Sequence, residues 1–309
     1  MVTSILWCSA ALVAITGAIV ALVQGTIARS VLIALHEQPA VEATLKRASL
    51  TALVIVETSV ILAGISAVFL LLGREHITSY QAIGAAIALI VPAAIAAYAS
   101  MAPAREALFA IARQPFLSNK IITTLLISLT VIQTPVILGF ITGLIMSVRA
   151  PFTMAHGLSY IAGGIAVGVG SVGPLLGLSR FGAAVCRAIG RNPTAHTPLV
   201  PFLFVGQALI ETPSLLALII ALALIVLPPR TDTVLEGIIR IIAGITTALV
   251  TVGPGLASGR TAGSAAREIG KEPEKSRIIM QLSLITQTII DTGALYGIVA
   301  ALSMIILGL

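Results

Sequence analysis

The sequence predicts an all-α membrane protein, in which eight transmembrane helices form four tandem helical hairpins. The first observation is composition: 58% of the 309 residues are hydrophobic and only 10% are charged, against about 25% charged in soluble domains. The second is a mean hydropathy of +1.09, which indicates lipid as the main solvent of this surface. The third is a polar loop ending in proline that occurs four times between long apolar runs.

Eight apolar stretches are long enough to cross about 30 Å of hydrocarbon as helices. Helices satisfy their backbone polar groups internally, as a span in lipid must. A transmembrane barrel would need short alternating strands, and these runs do not alternate. The predicted spans lie near residues 5–28, 48–72, 80–104, 121–147, 157–179, 198–227, 236–259 and 278–308.

The repeat is defined by its loop prolines, which are spaced 76, 78 and 80 residues apart. Each proline separates two apolar runs, so each repeat reads as helix, short polar loop, helix. The prolines are Pro39, Pro115, Pro193 and Pro273. The four predicted hairpins cover residues 1–76, 77–152, 153–232 and 233–309.

The second helices of the hairpins share one polar position, 18 residues after the proline. These residues are Glu57, Gln133, Glu211 and Asp291. Each is followed by a threonine: Thr58, Thr134, Thr212 and Thr292. A helix of 18 residues is about 27 Å long, so the shared position falls well inside the bilayer. Three carboxylates and one isosteric amide therefore stand at a single depth.

A carboxylate near the bilayer centre costs about 2.5–3.5 kcal/mol on insertion scales. Such a group is usually retained because it binds or carries an ion, and three at one register indicate ion sites. The alternative is a structural role, in which protonated acids form hydrogen bonds between helices, as Gln133 can also do.

The loop and the buried acid together resemble the proteolipid, or c-type rotor protein, of the F-type rotary ATP synthase. The sequence is most similar from Glu106 to Pro115, which ends in Ala-Arg-Gln-Pro, and from Gly206 to Thr212, which reads Gly-Gln-Ala-Leu-Ile-Glu-Thr. The family's usual chain is a single hairpin, and this chain resembles four of them fused. Fused hairpins are also common in the proteolipids of V-type ATPases, so a V-type-like ion pump is the alternative.

The resemblance implies a sector of a two-layered rotor ring that carries ions on the buried acids. Glu57, Glu211 and Asp291 are then the carriers, and the partners are further copies of the chain, the a-type stator protein with its essential arginine, the central stalk and membrane lipid. The loops that would contact the stalk include Gln38, Pro39, Arg113, Gln114, Pro115, Arg191, Asn192, Pro193, Lys271, Glu272 and Pro273.

The transported ion is expected to be H⁺, with Na⁺ as the alternative. In sodium-driven members a first-helix glutamine, a Ser or Thr after the acid and a tyrosine five residues after it supply oxygen ligands, which suit a hard cation. Here those elements are divided between hairpins: Gln24 is the only glutamine at its register, and Tyr296 is the only tyrosine at its own. Gln24, Glu57, Thr58 and Tyr296 can meet only across a junction between chains, where Na⁺ at Glu57 stays an alternative.

Gln133 departs from the family pattern, because an amide cannot release a proton. Hairpin 2 is therefore expected to be a non-carrying member, so that each chain carries three ions. Gln207 and Gln287 lie four residues before an acid, one helical turn away, where they can either bond to it or simply pack.

The net charge of +6 does not indicate nucleic acid, because no basic face is interleaved with aromatic residues. Fourteen of the 18 Lys and Arg residues lie in four segments predicted as loops: Arg29–Arg47, Arg105–Lys120, Arg180–Arg191 and Arg260–Arg277. The positive-inside rule then places these loops in the cytoplasm and both termini outside. We expect a multi-pass protein of a bacterial inner membrane.

The sequence has no nucleotide-binding loop, metal-ligand cluster or nucleophile triad, so we expect neither catalytic activity nor a cofactor. A secondary transporter or channel with internal repeats remains the rival from another class, since such proteins also place polar groups at mid-membrane. Against it, the repeats are short and share one orientation.

Overall fold

The computed structural model describes residues 2–73, 75–149, 151 and 153–307, and this part of the chain contains nine α-helices. The first helices of the hairpins are α1 (Val2–Glu37), α3 (Ser79–Arg113), the pair α5 (Met154–Gly170) and α6 (Val172–Arg191), and α8 (Val234–Lys271). The second helices are α2 (Glu42–Leu72), α4 (Ser118–Val148), α7 (His196–Val226) and α9 (Ser276–Leu307). Eight segments are long and apolar enough to cross a membrane, with α5 and α6 forming one of them, which confirms the predicted all-α fold.

The loop prolines begin one-turn 3-10 helices that join the two helices of each hairpin: Pro39–Val41, Pro115–Leu117, Pro193–Ala195 and Pro273–Lys275. Proline disfavours a helical conformation in the residue before it, so each first helix ends within two residues of its proline. Neighbouring loops are tied together, since the Asn192 side chain donates to the Gly270 carbonyl at 3.1 Å.

The helices form two layers. Along one layer α1 packs against α3, α3 against α5 and α6, and these two against α8. Along the other, α2 packs against α4, α4 against α7, and α7 against α9. The hairpins therefore stand side by side in chain order, with hairpins 1 and 4 at the two ends of the row.

Glycines let the first helices approach closely. A Cβ atom at Gly259 of α8 would overlap the backbone of Gly177 in α6, and one at Gly164 of α5 would overlap the backbone of Gly84 in α3. Close packing by small residues is what holds helices together in lipid, where no hydrophobic force acts between them. In contrast, a Cβ at Gly17 or Gly25 of α1, at one end of the row, would meet no atom within 4 Å.

Two carbonyls that prolines leave without a helical donor are bonded by the neighbouring first helix. Pro174 cannot donate to Gly170, and the helix is interrupted at Ser171. The Thr251 hydroxyl lies 3.1 Å from the Gly170 carbonyl, and this contact is shared with the carbonyl of Thr247 in its own helix, at 2.9 Å. In the same way Pro103 leaves the Ala99 carbonyl free, and Ser179 donates to it at 2.5 Å.

A buried arginine caps the end of α7 that lies opposite the polar loops. The Arg240 side chain is only 1% exposed, and it donates to the carbonyls of Leu227 at 2.7 Å and Pro228 at 2.8 Å. Its Nε atom lies 3.3 Å from the Glu236 carboxylate. The last carbonyls of a helix have no partner within it, so Arg240 supplies donors that lipid does not.

The segments rich in Lys and Arg were predicted as loops, and this prediction is wrong for most of their length. The first helices continue to the residue two before each proline, so their basic residues stand on helical surfaces. Arginine is a good helix former, and continuing the helix keeps the backbone bonded until proline stops it.

Candidate ion-binding site

The four residues of the shared register lie within the second helices of the hairpins: Glu57 in α2, Gln133 in α4, Glu211 in α7 and Asp291 in α9. Their surroundings differ. Gln133 and Asp291 are buried, Glu211 is half-buried and Glu57 is exposed at the free edge of hairpin 1. One sequence register therefore contains four different environments.

Asp291 is bonded to the first helix of its own hairpin. The hydroxyl of Ser258 in α8 donates to its carboxylate at 3.3 Å. Ser258 stands 15 residues before Pro273, which is the register of Gln24 in hairpin 1. The structure thus shows that the first helix reaches the buried acid from this register.

Glu57 shares a cavity of about 470 Å³ with Gln24, and the cavity is also lined by Gly25, Ala28 and Leu53. Gln24 and Glu57 were predicted to converge, and the structure places them beside the same space. Tyr296, the other member of that predicted group, is 78% exposed on α9 at the opposite end of the row. A single chain therefore does not bring Tyr296 to Glu57.

Second helices also supply hydroxyl groups to the next hairpin. Ser59 of α2 donates to the side-chain oxygen of Gln133 in α4 at 3.0 Å. The Thr134 side chain of α4 is a hydrogen-bonding neighbour of the Glu211 carboxyl group in α7. Each of these two site residues therefore receives a hydroxyl from the hairpin before it.

The threonines that follow the acids are turned toward their own helices. Thr58 donates to the Ile55 carbonyl at 2.7 Å, and Thr292 donates to the Ile289 carbonyl at 2.7 Å. Thr212 does the same with Ala208 at 3.1 Å. A hydroxyl bonded to its own backbone is not directed at the carboxylate beside it in this arrangement.

Several buried polar atoms around Glu211 have no partner among the residues that the structure describes. They are the oxygen and nitrogen of the Gln207 amide, Oε1 of Glu211 and the Ser214 hydroxyl. Residues 207, 211 and 214 follow the i, i+4, i+7 spacing of one helix face. Buried polar groups without a protein partner are typical positions for a bound water. Gln287, at the register of Gln207, donates instead to the Ser283 hydroxyl at 3.1 Å.

The loop residues predicted to contact a stalk all lie at one end of the hairpins, and each is at least partly exposed. Glu272 and Lys275 form an ion pair there, with 2.5 Å between nitrogen and oxygen. The hydrogen bond from Lys275, together with its charge, lowers the pKa of Glu272 below its usual value. The loop of hairpin 4 therefore carries both signs of charge at neutral pH.

Comparison with known proteins decides the family. The profile of the family described as the ATP synthase C subunit matches residues 161–224 and 241–304, in hairpins 3 and 4. The second ATP synthase c-subunit of Cereibacter sphaeroides is 47% identical over 73 residues, which are 24% of this chain and 88% of that protein. This chain belongs to the family of ATP synthase c-subunits.

Further relatives agree with this assignment. The ATP synthase c-subunit of Chloroflexus aurantiacus is 36% identical over 66 residues, covering 21% of this chain and 87% of that protein. The ATP synthase c-subunit of Syntrophus aciditrophicus is 39% identical over 71 residues, covering 23% of this chain and 60% of that protein. Matches of this length correspond to one hairpin, so this c-type chain is a tandem of family units. It is a multi-pass membrane protein of an ATP synthase c-ring.

Proposed function

We propose that the chain is the non-catalytic rotor subunit of an ATP synthase, carrying H⁺ on Glu57, Glu211 and Asp291. The supporting observation is that these carboxylates occupy one register in three of the four second helices, which stand in a row with the first helices in a separate layer. Copies of the row that close into a ring would present each carboxylate in turn to the a-type stator protein and its arginine. The neutral, ion-loaded carboxyl group suits lipid, and the arginine stabilises the anion that remains after release.

The proton is favoured over Na⁺ by the surroundings of Glu211. In hairpin 3 Leu178 occupies the register of the first-helix glutamine and Leu216 that of the tyrosine, so two ligands of the sodium-driven pattern are missing at Glu211. A hard cation needs several oxygen ligands, whereas a proton needs one acceptor. Because all carriers of a ring must deliver the same ion, the site with the fewest oxygen ligands determines which ion the ring carries. Glu57 with Gln24 would then also carry H⁺.

Gln133 is proposed to be a non-carrying member of the ring. Three of four hairpins then load an ion, so fewer charges cross the membrane per turn. Work done by a gradient scales with the charge moved, so each ATP needs a driving force about one third larger than with four carriers. The same change lets a hydrolysing motor pump against a steeper gradient.

The orientation follows from charge. Fourteen of the 18 Lys and Arg residues lie toward the loop ends of the hairpins, and by the positive-inside rule the loops face the cytoplasm of a bacterial inner membrane, where they would meet the central stalk. The relatives named above favour the F-type enzyme over a V-type-like pump, and membership of the family disfavours a repeated transporter or channel.

Carbodiimide labelling of the assembled enzyme tests the proposal. The reagent couples to protonated carboxyl groups in lipid, and we expect label on Glu57, Glu211 and Asp291, with loss of ATP hydrolysis. Peptide mass spectrometry counts the labelled sites, and added Na⁺ should not slow the reaction. Fewer than three labelled carboxyl groups, or labelling without loss of hydrolysis, would contradict it, and protection by Na⁺ would identify sodium as the ion.

A further inference from the structure

A cleft between α6 and α8 is lined by arginine. Its volume is about 360 Å³. Every lining residue comes from a first helix, so the cleft opens on the side of the first-helix layer. The four arginines that define this basic cleft are Arg180, Arg187, Arg260 and Arg267.

Most of this positive charge is not compensated by the protein. Arg187 forms a bidentate pair with Glu106 of α3, at 2.6 and 2.9 Å. Among the residues that the structure describes, Arg267 donates to the Gly263 carbonyl and to the Ser264 hydroxyl, and to no carboxylate. Neither Arg180 nor Arg260 forms an ion pair or hydrogen bond with any residue in the described ranges. Like charges so close together repel one another, and an anion in the cleft would relieve that repulsion.

The basic cleft of hairpins 3 and 4 is larger and holds more arginines than the pocket between α1 and α3, which measures about 130 Å³ and is lined by Arg29 and Arg105. Arg180 and Arg260 both stand 13 residues before the loop proline, and Arg187 and Arg267 both stand six before it. Hairpins 1 and 2 carry Thr26, Ala102, Ile33 and Phe109 at these registers. The positive-inside rule applies to every hairpin alike, so it does not explain why arginine occupies these two registers in hairpins 3 and 4 but not in hairpins 1 and 2. The two pairs therefore form a specific site.

Arg180 and Arg260 directly follow the predicted spans 157–179 and 236–259, so the cleft begins where those apolar stretches end. Its arginines extend over seven residues, or about 10 Å of helix, between the loops and the depth of the carboxylates. A second cavity of about 280 Å³ continues toward the loops and is lined by Arg191, Asn192 and Lys271. Planar guanidinium groups match the geometry of phosphate oxygens, and basic pockets between transmembrane helices on the cytoplasmic side bind anionic headgroups.

We propose that the basic cleft binds the phosphate of an anionic phospholipid headgroup. This rests on the proposed function, in which the second helices face the stator at the outside of a ring and the first helices face its lumen. The bound lipid would belong to the cytoplasmic leaflet inside the ring. It would offset part of the positive charge on α6 and α8 and fill the space between hairpins 3 and 4.

Native mass spectrometry of the intact ring tests this binding. Rings stripped of loosely held lipid by detergent are mixed with phosphatidylglycerol or with phosphatidylcholine of the same chain length. We expect on the order of one phosphatidylglycerol to remain per chain, and the R180Q/R260Q variant to retain at least about threefold less. R277Q removes an exposed arginine from α9 and is the matched control that keeps its lipid. R180K/R260K should keep part of the binding, because charge persists without the planar fork.

Equal retention of both lipids, or equal retention by R180Q/R260Q and R277Q, would overturn the proposal. Complete displacement by millimolar inorganic phosphate would overturn it as well, because the site would then serve a free anion. If the glutamine variant does not assemble, the comparison of the two lipids on the unmodified ring still decides. Carbodiimide labelling of the same ring reports on the proposed function separately, so a failure of one is distinguishable from a failure of the other.

Discussion

The hydroxyl of Ser59 in α2 donates a hydrogen bond to the side-chain oxygen of Gln133 in α4, over 3.0 Å. A carboxylate at position 133 would accept the same bond, since the amide and the acid share that oxygen. The amide nitrogen of Gln133, by contrast, has no partner among the described residues. The described residues around position 133 therefore supply a hydrogen-bond donor to its side chain and no acceptor.

Restoring the acid should therefore convert hairpin 2 into a carrier. We expect Q133E to give a fourth carbodiimide-labelled carboxyl group per chain and to lower the driving force needed for ATP synthesis by about one quarter, since four charges then move where three did. Peptide mass spectrometry and synthesis at graded membrane potentials measure the two effects. Q133L is the control and should resemble the unmodified ring; an unlabelled Glu at this position would contradict the prediction.

Removing the Ser258 hydroxyl should affect Asp291 alone. A hydrogen bond contributes about 0.5–1.5 kcal/mol, and this one stabilises the carboxylate, with which the reagent does not react. At a pH well above that of half-maximal labelling, where little of the acid is protonated, S258A should therefore label Asp291 up to about tenfold faster, with Glu57 as the internal reference. S100A is the matched control, because Ser100 holds the same register in hairpin 2 but donates to Ala96 at 2.8 Å. An equal effect of S258A and S100A would show that the hydrogen bond from Ser258 does not influence the labelling rate of Asp291.

The amide of Gln207 is predicted to hold a buried water beside Glu211. Both of its polar atoms are buried without a partner in the described structure, and leaving such groups dry costs about 1–3 kcal/mol. Water-edited solid-state NMR of the ring should show rapid magnetisation transfer from water to the Gln207 side-chain amide. Gln287 is the internal comparison: its oxygen is also unpartnered among the described residues, but its amide nitrogen donates to Ser283, so its N–H signal should respond more slowly.

The variant Q207L also tests whether the Gln207 amide holds a water or is dry. Leucine is a suitable replacement, because it is the natural residue at this register in hairpins 1 and 2, as Leu53 and Leu129. With a water present, the variant should lose that signal and change the labelling rate of Glu211. A stabilised ring with unchanged labelling would instead show that the amide was dry.

The Arg240 cap should be important for the stability of the ring. R240L leaves the Glu236 carboxylate buried without its partner, and breaking a buried pair costs about 3–5 kcal/mol. The double variant E236L/R240L should recover part of that loss, because apolar groups replace both charges. Thermal dissociation of purified rings measures the effect. R230L, which removes an exposed arginine that contacts the Leu307 carbonyl, should cost less than about 1 kcal/mol; equal melting of R240L and R230L would refute the cap.

The repeat and the common depth of the site residues could be predicted from sequence, because both depend on spacing along one helix. The partners of those residues could not. Ser100 and Ser258 share a register, yet one donates to its own helix and the other to Asp291. The choice depends on the side chain that the neighbouring helix places opposite, which spacing does not contain.

The effect of a proline on its helix could not be predicted from sequence either. Pro174 and Pro254 both stand 19 residues before their loop prolines, but only the helix of Pro174 is interrupted nearby. At Gly170 the freed carbonyl is bonded by Thr251 of the adjacent helix, so the irregular backbone is satisfied there. The position of a proline relative to the loop therefore does not determine whether its helix is interrupted.

The four unlike environments at one register also bear on how such a rotor can change in evolution. In a ring of identical single hairpins, any substitution appears at every position at once, and loss of the acid abolishes transport. Fusion confines a substitution to every fourth hairpin, so the remaining acids continue to function while one position diverges. A tandem gene thus allows the number of ions per turn to be altered by a point mutation, with no change in the size of the ring.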